Sequence, residues 1–208
     1  MDLPNEEQRD QLAKLARERN WGLSLLLVGW LHLVAFLSCH YLTIEVGYHE
    51  ALGYALIWGG ELIAMWLIFQ ICGGPRSAAT PLQPLELLVR RIWTAYFLLV
   101  FNLGSLNTLR GHHLFEFFPA VTSLASFAFL MMALLVNWRF AGGMLVMFVS
   151  GLLMAANLMY SHLIFALAWC LVLNGIGWTL WLERRRLAPK PSMISREKTQ
   201  NTQTTPIG

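Results

Sequence analysis

Residues Trp21–Ile44 read WGLSLLLVGWLHLVAFLSCHYLTI, and this stretch decides the fold. It contains no Asp, Glu, Lys or Arg. As a helix rising about 1.5 Å per residue it is long enough to cross a hydrocarbon layer about 30 Å thick. Its apolar residues do not alternate with a period of two, so it is not the strand of a membrane barrel. Five more stretches have the same character: Ala51–Cys72, Ile92–Leu109, Phe115–Val136, Phe140–Met159 and Leu163–Leu182. The expected fold is therefore all-α, a polytopic integral membrane bundle of six transmembrane helices. The third stretch is the shortest and holds Asn102 and Asn107, which makes it the least apolar candidate.

Composition agrees. Hydrophobic residues make up 56% of the 208 positions and charged residues only 13%, against about a quarter charged in soluble domains. The charges crowd into residues 1–20, 76–91 and 183–198. The net charge of +3 comes from Arg and Lys flanking the apolar stretches. It reads as a topology signal and not as a nucleic-acid footprint. No cleavable signal peptide is expected, because the first apolar run is too long for a signal core and follows a charged segment. Residues 1–20 read as a cytoplasmic amphipathic segment, with Asn5 and Gln8 as capping residues and Asp10–Lys14 and Lys14–Glu18 as favourable pairs. Residues 183–208 read as a basic segment followed by a disordered tail.

Six spans put the basic residues on one side. Arg9, Lys14, Arg17 and Arg19 precede the first span, and Arg76, Arg90 and Arg91 separate the second from the third. Arg139 lies between the fourth and fifth, and Arg184, Arg185, Arg186, Lys190, Arg196 and Lys198 follow the last. Arg110 alone falls on the other side. The positive-inside rule then places both termini in the cytoplasm of a protein of the cell's inner membrane. Trp21, Trp93, Trp138, Trp178 and Trp181 are expected at the cytoplasmic headgroup layer, with Tyr41, Tyr48, Phe115, Phe117 and Tyr160 at the opposite one.

Two groups of polar residues stand out. His32 and Glu61 fall at mid-depth in the first two spans, where an ionisable side chain costs at least about 2.5 kcal/mol unless it is paired. These spans are antiparallel across a short turn, so a His32–Glu61 hydrogen bond would satisfy both. Asn102, Ser126, Ser150 and Asn174 fall near mid-depth in the others, and a polar layer of His32, Glu61, Asn102 and Asn174 is a candidate intramembrane site. The plainer use of these residues is interhelical hydrogen bonding. The second group is His40, His49, His112, His113 and His162, with Glu45, Glu50 and Glu116, around the three outer turns. These histidines are candidates for a metal, haem or pH-sensing site, or are simply solvated turn residues. A haem would need two facing imidazoles, such as His40 with His112, His113 or His162, and no CxxCH or HExxH fixes a pair. No cofactor is predicted. Cys39, Cys72 and Cys170 form no CxxC and read as small buried hydrophobes. Among the small residues, Gly59–Gly60, Gly142–Gly143 and the pair Gly151 and Ala155 are expected to allow close helix packing.

No catalytic residue is nominated. The chain has no GxxxxGK[ST], GxGxxG or GxSxG, no kinase VAIK, HRD or DFG element and no TVGYG filter. The expected role is a membrane anchor, sensor module or subunit that acts through a membrane or cytoplasmic protein partner. A haem- or quinone-linked redox protein and a small-solute transporter or channel are the alternatives.

Glu86 stands seven residues before Trp93, Pro119 precedes Phe129-Leu130, and Ala133 and Phe140 follow at matching spacing, ahead of a helix pair ending in Arg184–Arg186. In these features, over residues 52–186, the chain resembles the multi-helix membrane region that follows the kinase domain in certain planctomycete serine/threonine protein kinases. The resemblance implies an anchor or sensor coupled to a cytoplasmic catalytic domain. It carries over no kinase activity, since no kinase element is present in this sequence.

Overall fold

A computed structural model of the chain describes residues 20–45, 51–72, 84–110 and 114–187. The amphipathic segment and the disordered tail expected at the two ends lie outside these residues, except that the last helix reaches Leu187. The described residues form six long helices: α1 (Trp21–Glu45), α2 (Ala51–Cys72), α3 (Pro84–Leu109), α4 (Leu114–Leu135), α5 (Ala141–Ala156) and α6 (Ser161–Leu187). Single 3₁₀ turns at Trp138–Phe140 and Leu158–Tyr160 bracket α5. All six are long and apolar enough to cross a membrane, α5 with the turn before it. The fold is thus an all-α, multi-pass membrane bundle.

Two boundaries depart from the sequence reading. The helix expected from Ile92 begins eight residues earlier, at Pro84. Proline supplies the fixed φ of a first helical residue without needing its missing N–H there, and Glu86 follows in the first turn, where a carboxylate faces the positive end of the helix dipole. The third span therefore runs from Glu86 to Asn107 and is not the short one. Its Trp93 lies more than two turns from Pro84, edge-on to Tyr96 and Phe129. The fifth helix is the short one. Asn137 ends the approach to it, its side chain accepting from the Arg139 N–H at 3.0 Å, and the chain re-enters through the Trp138–Phe140 turn.

Several hydroxyl side chains in these helices find partners within their own helix. Ser38, Thr43, Ser105, Thr122 and Ser123 each donate to the carbonyl four residues back, the usual solution where hydrocarbon offers no alternative. Ser126 instead reaches across from α4, donating to Met144 O on α5 at 3.1 Å.

The first and last helices pack most extensively, antiparallel, so the bundle closes on its own ends. Their approach is set by glycines. A Cβ on Gly22 would lie 2.7 Å from Trp181 N, and one on Gly177 would lie 2.8 Å from Gly22 O. One on Gly29 would lie 2.5 Å from Asn174 Nδ2. Lipid offers no hydrophobic drive for helices to associate, so such backbone contact supplies the attraction through dispersion. α4 and α5 form the second tight pair and both meet α6. Gly151 meets Pro119 O there, whereas Ala155 is exposed, so only the first of that expected pair is used in packing.

The two remaining helices are attached differently. α2 packs against α1, α3 packs against α4, and neither makes comparable contact with any other helix. Four helices (α1, α4, α5 and α6) thus form a core, and α2 and α3 stand at its flank like two open leaves. One end of the bundle gathers Trp21, Leu88, Val136, Phe140, Trp181 and Glu183. Arg139 is paired with Glu183 at this end, and the Arg185 guanidinium lies over the Trp181 ring.

Candidate functional site

The space between the leaves is a groove of about 1320 Å³. It extends from Trp21, Glu86 and Arg90 at one end to Asn107, Leu109 and Phe117 at the other. That is nearly the length of α3, about 35 Å at the helical rise. Its wall is aromatic. Trp169 of α6 contacts Trp93 and Tyr96 of α3, Phe129 of α4 and Phe165 one turn away. Phe36 and Phe118 continue the surface from α1 and α4. These residues are apolar on a face that, in a closed bundle, a neighbouring helix would cover.

At mid-depth in the groove lie the two ionisable residues singled out from the sequence. His32 Nδ1 and Glu61 Oε1 are 2.5 Å apart, the expected pair between α1 and α2. Glu61 is 7% exposed and His32 16%. The imidazole is packed by Phe36, Phe165 and Trp169, with ring centroids 4.5, 5.6 and 5.7 Å away. Its other nitrogen, Nε2, is buried and has no hydrogen-bond partner among the described residues. Buried polar atoms are nearly always satisfied, so this nitrogen is an exception that calls for a partner.

The rest of the expected polar layer does not assemble around this pair. Asn102 is exposed; because α3 starts early, it lies nearer one end of its span than the middle. Asn174 belongs to the α1–α6 seam, donating to Cys170 O at 2.8 Å and lying against Gly29. Ser126 and Ser150 are buried in α4 and α5 away from the groove lining. Gly59 and Gly60, expected beside Glu61 as packing residues, face open space.

Of the outer histidines, the two that the structure describes, His40 and His162, come near each other. His49, His112 and His113 lie outside the described residues. His162, expected in a turn, is instead in the first turn of α6 and fully buried, stacked on Tyr54 and edge-on to Phe118. His40 is partly buried, with Tyr160 nearby. Among the described residues no three His, Cys, Asp or Glu side chains come together as a metal site. Below them, Tyr54 Oη and Thr43 Oγ1 lie 2.5 Å apart, and Thr43 donates onward to Cys39 O, clasping α1 to α2.

Sequence reasoning passed over several groove residues. Glu86, noted only for its spacing from Trp93, is a buried carboxylate at the groove end, 7% exposed. Trp58, Trp93, Tyr96 and Trp169 line the groove. Their clustering has no local signature, since it depends on which helix faces meet. Comparison with protein families, with curated proteins and with solved structures finds no match for the chain.

Proposed function

We propose that the protein is a non-enzymatic module of the cell membrane, an anchor or sensor subunit that works through a partner protein. In this reading it sits with both termini in the cytoplasm. The observation that supports it is the incompleteness of the bundle: α2 and α3 are each secured along one neighbour only. A helix held on one side can shift at small cost, and a shift of α2 or α3 is delivered at the end bearing Arg90, Arg91, Arg139 and Arg184. That is the end at which a cytoplasmic partner would read it. The resemblance to membrane regions of planctomycete kinases points to the same kind of role, an intramembrane element coupled to catalysis carried on other residues.

The test is photocrosslinking in native membranes from a side chain facing away from the groove on each leaf. Ile63 on α2 and Leu98 on α3 are 63% and 65% exposed and do not line the groove. A benzoylphenylalanine at either position is expected to give a discrete adduct with one other protein, identifiable by mass spectrometry. Adducts with lipid alone from both positions would sink the reading.

A further inference from the structure

The groove has the features of a ligand site rather than of a packing fault. A volume of about 1320 Å³ exceeds what small-molecule sites usually occupy, about 300–1,000 Å³. It suits a long chain better than a compact solute. The groove lies along the membrane normal between two helices that do not close on each other, so an apolar molecule can enter sideways from lipid. Its lining is mostly aromatic and aliphatic, with a paired acid and imidazole at mid-depth, Glu86 and Arg90 at one end and Ser105 and Asn107 toward the other.

The depth and chemistry of that pair select the head group. His32 is eleven residues from the start of α1, about 17 Å along the axis, too deep for a phosphate or another charged head. Low polarity at that depth favours a pair with no net charge. Such a pair is either a carboxylate with an imidazolium or a carboxylic acid with a neutral imidazole. Nδ1 faces Glu61 in both, so Nε2 carries a hydrogen in both. This nitrogen is buried, unpartnered among the described residues and walled by aromatic rings.

We propose that the groove between α2 and α3 binds a neutral, carbonyl-headed amphiphile of the quinone type. The head enters among Phe36, Phe165 and Trp169 and parts them to uncover His32 Nε2–H, from which its carbonyl oxygen accepts, and the chain lies along α3 past Val100. Glu61 acts as a positioning residue, holding the imidazole in the donor form at Nε2. The site requires no second protein and is therefore independent of the partner reading. The same chemistry is offered by a quinone ring and by a ketone on a plain prenyl chain.

The test uses the intact chain in mild detergent, with tryptophan fluorescence as the readout, since Trp21, Trp58, Trp93 and Trp169 line the groove. Decylubiquinone is expected to quench saturably. Loss of one strong hydrogen bond corresponds to about tenfold in affinity, and His32→Phe is expected to weaken the apparent Kd by about that factor. Glu61→Gln keeps binding within about threefold, because its amide N–H can donate to Nδ1 and leave the hydrogen on Nε2; Glu61→Leu does not. Val100→Phe, which fills the groove and leaves the pair untouched, weakens binding as well and serves if His32→Phe does not elute as a single species. Displacement by geranylacetone would assign the site to prenyl ketones broadly, and its failure to displace would assign it to the quinone ring. Equal affinity in wild type and Val100→Phe would overturn the proposal. So would displacement by squalene, which has no carbonyl, as readily as by geranylacetone.

Discussion

At the scale of single residues, the His32–Glu61 pair is the feature whose energetics can be separated most cleanly. A buried pair is weak evidence of stability, because desolvation offsets much of the attraction between its members. Removing one member is a different matter. In Glu61→Leu the imidazole Nδ1 loses its partner, so the cost is that of an unsatisfied buried polar group, about 1–3 kcal/mol. Replacing both, as in the double variant His32→Phe and Glu61→Leu, removes the orphan and is expected to recover most of that loss. Thermal unfolding of the four proteins of this cycle in detergent measures the coupling. A double variant less stable than either single one would show that the pair is not the unit assumed here. The pairing itself could be read from the sequence, since two ionisable residues at equal depth on antiparallel neighbours have few other ways to be satisfied. The free Nε2 and its aromatic surround could not, because they depend on how α6 turns its Phe165 and Trp169 face toward α1.

At the scale of elements, the glycines divide into those that touch another backbone and those that touch nothing, and the sequence alone does not separate them. Gly59–Gly60, next to a buried carboxylate, is the natural candidate for close approach, yet both face open space. Gly22 and Gly177, separated by most of the chain, form the tightest helix crossing. Spacing within one helix reveals small residues, whereas a crossing depends on two helices at once. Opposite outcomes follow for the same substitution. Gly177→Ala places a methyl against Gly22 O and Leu26 N, both backbone atoms that cannot move aside singly, and is expected to destabilise by about 1–3 kcal/mol. Gly59→Ala meets nothing and removes a poor helix former, so it should be neutral or stabilising by up to about 1 kcal/mol. Paired melting curves in detergent check both, and similar losses at the two sites would mean that α1 and α6 do not cross there. Element boundaries were legible where a stretch of lipid-compatible length ended at a charge or a turn residue, as at Trp21 and Cys72. They were missed at Pro84, which starts a helix eight residues ahead of the expected Ile92.

At the scale of the whole molecule, the number of spans and the placement of charge constrain each other. An even number of crossings returns the chain to the side on which it began, and in the structure the described basic residues Arg90, Arg91, Arg139, Arg184 and Arg185 gather at one end of the bundle, with Arg110 at the other. Translocating a charged connection is costly, and cytoplasmic loops retain an excess of Lys and Arg, so that end is expected to face the cytoplasm. The loop carrying Arg76 and the helix end carrying Arg184 must then share a compartment. Replacing Cys39, Cys72 and Cys170 by alanine and introducing Arg76→Cys, Arg110→Cys or Arg184→Cys one at a time gives three reporters. With an impermeant maleimide applied to intact cells, Arg110→Cys is expected to be labelled, while the other two react only after the membrane is opened. Labelling of Arg184→Cys but not Arg76→Cys from outside would require an odd number of crossings between them. α3, whose flank is least covered of the four helices in that interval together with α2's neighbouring face, would be the first helix to doubt, and the groove it helps to form would lose one of its walls.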